Sequence, residues 1–335
     1  MRKRRNYVAN HAKQESADGR DLRNLFRQFV SIKVAEGVSG GTVKQYEENF
    51  RFFSEYIERH GNDFDLDVVT SEFLREWITY MQFDHIQYRR VATRKVKEVG
   101  LKPATINTRI KTIRVMFNTL YNERLISSNP IDRIKNVYEQ EEPIVILSDK
   151  EIVRLLGVMD KSYYTVYRDY VLTILLLDTM LRVTEAVSLK YDDINRESGV
   201  IIVRASIAKS RKSRAVPVSD RTLRLLEELM KENDHQYRSS YVFATGEDSF
   251  YDRHTYNQRL KNYAASAHIR KNVHPHLFRH TAATSWLENG GGMEELRMIL
   301  GHSKYDMVKR YAHVSNKSIV KAAKEYSITT KLDVF

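Results

Sequence analysis

The chain has no cysteine in 335 residues. That excludes disulfides and thiolate metal sites and agrees with a reducing compartment. Proline is scarce, at five residues, and no low-complexity segment or internal repeat is visible. Long apolar runs are missing too. The longest are short stretches such as residues 174–177, so no segment is expected to span a membrane. The amino terminus, "MRKRRNYVAN", is basic but has no apolar stretch behind it, unlike a secretory signal. Acidic residues are in deficit: 43 Asp and Glu face 55 Lys and Arg, a net charge of +12 with a pI near 9.5. Such a balance suits a polyanionic partner, nucleic acid before a membrane surface.

What is present is enough apolar residue, 42%, to build sizeable cores, and a length that points to two domains. The pattern divides the chain into a basic tail (1–19), a helical domain (20–135), an acidic linker (136–148), a second domain (149–315) and a C-terminal tail (316–335). In the first domain, Thr42 and Gln45 have capping-box spacing and open a helix whose stripe is Tyr46, Phe50, Phe53 and Ile57. "SEFLREWITYMQF" reads as a second helix. "PATINTRIKTIRVMFNTLYNERLI" reads as a third, with Ile106, Ile110, Ile113, Phe117 and Leu120 on one face and Arg109, Lys111 and Arg114 pointing elsewhere. Residues 87–114 carry nine Lys or Arg against one Glu. Arg89, Arg90, Arg94 and Lys95, together with Arg109, Lys111 and Arg114, are therefore candidate DNA contacts; a solvated face is the plainer reading. In the second domain Ser148 and Glu151 form another capping box, and "SGVIIVRASIAKSRKSRAVPVS" carries a hairpin signal.

Four segments of the second domain hold unusual polar residues. In "LDTMLRVTEAVSLKYDDI", Arg182 and Glu185 interrupt what reads as a strongly apolar helix. The hairpin turn holds Lys209, with Lys212 as a rival. "HPHLFRHTAATSWLENG" holds His276, Arg279 and His280, and "GHSKYDMVKRYAHV" holds His302 and Tyr311. In the last, Ser303 and Asp306 have capping-box spacing, which would place His302 just before a helix and Tyr311 about two turns inside it. Guanidinium groups grip phosphate oxygens and stabilise charge that builds on them. A tyrosine can attack phosphorus covalently, a lysine can protonate a leaving oxygen, and histidines can move protons. This is an inventory for metal-free DNA strand transfer. His276 and His280 have the i,i+4 spacing of a zinc pair, but no third ligand is evident. Tyr305 and Tyr326 are alternative nucleophiles, and His280 reads as structural or supporting.

On these boxes the chain resembles a tyrosine recombinase of the lambda-integrase, or phage integrase, family. The resemblance rests on "TMLRVTEAVSLKYDDI", "AKSRKSRAVPV", "HLFRHTAAT", "LGHS" and "RYAHV", in order over roughly residues 145–315. It implies a mainly helical, two-domain architecture with a small β-hairpin sheet in a catalytic domain similar to that of type IB topoisomerases, and a helical core-binding domain over 20–135. It also implies the catalytic set Arg182, Lys209, His276, Arg279, His302 and the nucleophile Tyr311, without cofactor or metal. The implied partners are double-stranded DNA at specific sites, a homotetramer in the synaptic complex and an accessory directionality protein, in a bacterial cytoplasm at the nucleoid. The family's usual glycine before "LR" is Met180 here, and its usual serine near the glutamate is Thr184. Some twenty residues before the first helix are too few for a separate arm-binding domain. A type IB topoisomerase and a catalytically inactive DNA-binding regulator are the rival readings.

Overall fold

The computed structural model describes residues 20–61, 63–87, 98–140, 142–237, 239–247, 249–302 and 304–312. The chain divides into two compact units, with the boundary between Glu141 and Glu142. Among the described residues it is mostly helical, with two small antiparallel sheets.

Among its described residues the first unit holds four α-helices: α1 (Leu22–Ala35), α2 (Gly40–Arg59), α3 (Ser71–Phe83) and α4 (Pro103–Asn122). Side-chain caps start three of them: Asp21 accepts from the amides of Arg23 and Asn24, Ser39 from Thr42, and Thr70 from Phe73. The cap of α2 is thus Ser39, three residues before the expected Thr42. Helix α4 starts on Pro103, whose missing amide costs nothing at a first helical position. Its expected stripe, Ile106, Ile110, Ile113, Phe117 and Leu120, is fully buried. It packs with Phe53 and Ile57 of α2 and with Leu74, Trp77 and Met81 of α3. Phe26 and Phe50 stack with ring centroids 3.9 Å apart. Between α3 and α4 the chain makes an excursion closed at its neck by the bridge Ile86↔Val99 and by Gln87 N to Glu98 O (2.9 Å). Arg89, Arg90, Arg94 and Lys95 lie outside the described residues, as do the two terminal tails.

The second unit opens with α5 (Asp149–Gly157), started by the expected capping box of Ser148 and Glu151. Helix α6 (Tyr164–Thr179) is apolar on nearly every side and buries Val171, Leu172, Leu175 and Leu176. It does not continue through Arg182. The chain turns at Met180, in the left-handed region (φ 55°), and a short helix α7 (Val183–Val187) follows. Arg182 is the residue that precedes α7, not one inside an apolar helix. The expected hairpin belongs to a three-stranded sheet, β1 (Ile194–Asn195), β2 (Val200–Val203) and β3 (Arg214–Pro217), in sequential order, with Val203 opposite Arg214. Then come α8 (Asp220–Gln236), the pair β4 (Ala244–Gly246) and β5 (Ser249–Phe250), α9 (Arg253–Ser266), α10 (Pro275–Glu288), α11 (Met293–Leu300) and α12 (Asp306–Ala312). One contiguous core runs from Leu147 through α6 and α10 to Val308 and Tyr311. No helix among the described residues is long and apolar enough to cross a membrane.

Candidate active site

The site is assembled where three turns meet around α10. The first is the left-handed turn at Met180, which points its carbonyl at Arg279: Nη1 donates to Met180 O at 2.5 Å. The second is the end of α11, where Gly301 (φ 62°) releases the chain so that His302 leaves the helix. Arg297 fixes that exit, accepting the His302 amide on its carbonyl (3.1 Å) and donating Nη1 to the His302 carbonyl (3.1 Å). The third is the start of α12, which carries Tyr311 inward. That helix starts at Asp306, so Tyr311 lies about one and a half turns inside it. Ser303 lies outside the described residues, and with it the expected cap.

Arg279 is almost wholly buried and is the centre of the arrangement. Its Nη2 donates to Leu300 O (2.7 Å) and lies 3.1 Å from His302 Nε2. An arginine has only donors, so Nε2 accepts, which leaves the proton of a neutral ring on Nδ1. Burial, then the charges of Arg279, Arg182, Arg214 and Arg310, push His302 down to about 4, which keeps it neutral. His302 Nδ1 is buried and has no hydrogen-bond partner. Burial, then the Arg182 charge, brings Arg279 down to about 10, still protonated at neutral pH.

Tyr311 is 2% exposed, and its hydroxyl is 2.9 Å from His280 Nδ1. Burial raises the phenol, while Arg279, Arg310 and Arg182 pull it back. Burial, then Arg310, His276, His274 and Arg279, pushes His280 down to about 4. It is a neutral base in contact with the phenol. Sequence reasoning gave His280 only a structural or supporting place. Its spacing from Arg279 showed no link to Tyr311, thirty-one residues on. Among the described residues no group of three or more His, Cys, Asp or Glu is placed to hold a metal ion.

Glu185 is fully buried and accepts Arg182 Nη1 (3.0 Å) and both terminal nitrogens of Arg214 (3.1 and 2.7 Å). Arg214, on β3, was missed: from sequence it is one more basic residue near the hairpin. His276 is exposed in the first turn of α10. Partial desolvation of the ring, then Arg279, His274, Arg182 and Lys209, lowers it. That places Lys209, itself exposed in the β2–β3 connection, within electrostatic reach of the cluster. Tyr305 is 43% exposed, and Tyr326 lies outside the described residues. The charges of Arg182, Arg279 and Arg310 thus act on both the phenol and His302, and that of Arg214 on His302 as well, while Glu185 acts on Arg279. The excess of fixed donors suits a phosphodiester.

The expected DNA face of α4 is only partly free. Arg114 donates to Ile134 O (2.9 Å) and Asn136 Oδ1 (3.0 Å), holding down the segment that follows α4. Arg109 lies 3.6 Å over the Phe52 ring, half-buried, and burial brings it to about 10. Lys111 is exposed.

The phage integrase family model matches residues 146–318, and the phage integrase SAM-like domain matches residues 21–137. Tyrosine recombinase XerD of Listeria monocytogenes is 27% identical over 311 residues, covering 91% of this chain and 99% of that protein. Among solved structures, the Tn1549 transposon integrase in complex with a circular intermediate DNA has a TM-score of 0.70 at 21% identity. It covers 91% of this chain and 99% of that one. The XerH site-specific recombinase bound to palindromic difH substrate has a TM-score of 0.67 at 20% identity, over 88% and 82% of the two chains. The fold is therefore that of these enzymes. The chain belongs to the phage integrase family and is a tyrosine recombinase, a DNA strand-cleaving and rejoining enzyme.

Proposed function

We propose that this chain is a site-specific recombinase of mobile DNA that uses Tyr311 as its nucleophile. The observation that carries the reading is the Tyr311 hydroxyl, buried against neutral His280 beside Arg182, Arg279 and His302. The phenolic oxygen attacks the scissile phosphorus and passes its proton to His280. The bond from phosphorus to the 5′ oxygen breaks, leaving a 3′-phosphotyrosine, and Lys209 supplies the proton that the leaving oxygen takes up. Arg182, Arg279 and the unpartnered Nδ1–H of His302 hold the phosphate and its developing charge. His276, exposed in the first turn of α10, assists proton transfer. The phosphotyrosine conserves the bond energy, so rejoining needs neither ATP nor metal. Attack by the 5′-hydroxyl of a partner strand makes, and later resolves, a Holliday junction.

The partner is double-stranded DNA, in the cytoplasm at the nucleoid. The Tn1549 transposon integrase was solved in complex with a circular intermediate DNA, and the XerH site-specific recombinase bound to palindromic difH substrate. Paired sites bring together a homotetramer, linked by the tail over 316–335 and open to an accessory directionality protein. A type IB topoisomerase would use the same site residues; the first unit, which matches the SAM-like domain, favours the recombinase. Tyr311→Phe should bind its DNA site normally and form no covalent complex on a nicked suicide substrate. A denaturation-resistant adduct in that variant would move the nucleophile elsewhere. Truncation after Ser315 should spare single-site binding and abolish synapsis; synaptic tetramers from the truncated chain would refute the role of the tail.

A further inference from the structure

Glu185 has no exposed surface, and its two oxygens receive four hydrogen bonds. Oε2 accepts the Arg182 amide (3.0 Å) and Arg214 Nη2 (2.7 Å); Oε1 accepts Arg182 Nη1 (3.0 Å) and Arg214 Nη1 (3.1 Å). A carboxylate offers about four lone-pair sites, so its capacity is full. The two arginines share it unequally. Arg214 binds as a fork with both terminal nitrogens, while the Arg182 guanidinium spends one N–H. Arg214 is also held from behind: Nε donates to Ile299 O (3.1 Å) in the last turn of α11. A Cβ on Gly301 would sit 3.0–3.1 Å from its guanidinium, so the turn that presents His302 closes directly on Arg214.

Arginine and carboxylate prefer the two-bond fork, and a buried carboxylate that loses partners is costly. Without Arg214, Glu185 would be left with Arg182 alone, and the second terminal nitrogen of Arg182 would turn in to complete a fork. We propose that Arg214 is a positioning residue: it saturates Glu185 so that the remaining donors of Arg182 face a phosphate ester, and it braces the turn carrying His302. It does not itself touch the DNA. This rests on the recombinase reading above, in which Arg182 holds the scissile phosphate.

The test is single-turnover cleavage of a nicked suicide duplex, scored as covalent adduct, with DNA affinity and thermal melting measured alongside. Wild-type protein runs first: no adduct there sinks the recombinase reading, separately from this inference. Arg214→Met should slow cleavage about 10- to 100-fold while single-site affinity stays within about threefold. Adding Glu185→Gln removes the charge that captures Arg182, so the double variant should be at least about tenfold faster than Arg214→Met. A brace with only a structural purpose predicts the opposite, since losing both partners deepens the damage. A double variant no faster than the single one overturns the proposal. If Arg214→Met does not fold, Arg214→Lys serves instead, a point charge that cannot fork. It should also cleave slowly and recover with Glu185→Gln, and a wild-type rate in Arg214→Lys overturns the proposal as well.

Discussion

At the scale of single residues, Met180 shows how backbone geometry serves chemistry. A side-chain-bearing residue in the left-handed region costs about 1–2 kcal/mol, which is why glycine is usual at such turns. Here the turn aims the Met180 carbonyl at Arg279, while the side chain is 4% exposed in the core. Met180→Gly relieves the strain but forfeits buried volume worth about 2–5 kcal/mol on the Met→Ala scale, so burial wins. The variant should lose about 1–3 kcal/mol in chemical denaturation, with the carbonyl still in place and the cleavage rate of folded protein nearly retained. Met180→Ile keeps the volume but resists the left-handed turn because it is β-branched. It should lose both stability and cleavage. Equal cleavage rates for Gly and Ile would show that the turn does not set Arg279.

At the scale of elements, the basic residues of α4 separate into different tasks. Arg114 is spent on Ile134 O and Asn136, so Arg114→Ala should lower the stability of the first unit, by about 1 kcal/mol, mostly from the partly buried Ile134 carbonyl it leaves unpaired. Lys111 is exposed, so Lys111→Ala should leave the melt unchanged and reduce the salt slope of DNA binding by about one unit. Reversed results would mean that Arg114 reads phosphate. The neck between α3 and α4 depends on Gly100 (φ 81°), whose amide bonds His85 O (2.8 Å) and whose carbonyl accepts Gln87 Nε2 (2.5 Å). A Cβ there would come within 2.2 Å of Gln82 O, a backbone atom that cannot step aside. Gly100→Ala should therefore open the neck and weaken DNA binding. Unaltered affinity and salt slope would show that the neck plays no part in DNA binding.

For the whole molecule, acid is the predicted weakness. His280 and His302 sit near 4 when folded, below the ordinary 6.5 of the unfolded chain. Between those values the unfolded chain binds protons that the folded one refuses, so stability falls as pH drops through that window. Glu151, brought to about 2 chiefly by Lys271, and Glu185 act lower down. Burial alone would raise Glu185, but the Arg214 bonds, the Arg182 amide and both guanidinium charges bring it below its usual value. Their contributions are present above about 4.5 and disappear as pH falls below it. Calorimetry from pH 7 to 5 should show the second unit melting progressively earlier, with a shallower slope in His280→Leu. A flat profile would mean that these imidazoles protonate inside the fold.

The sequence by itself determined what depends on a few neighbouring residues. The stripe of α4, the capping box at Ser148, the extent of α3 and the β2–β3 hairpin are local matters of period and cap. The ordered boxes named Arg182, Lys209, His276, Arg279, His302 and Tyr311. Only the tertiary structure decided who touches whom. His280 meets Tyr311 across 31 residues, Arg214 reaches Glu185 across 29, and Arg279 finds the Met180 carbonyl across 99. Spacing along a chain carries no record of such contacts, because they form when separate turns are packed on one core. The same packing ended α6 at Met180 rather than beyond Arg182, since a buried guanidinium needs fixed acceptors and an apolar helix offers none.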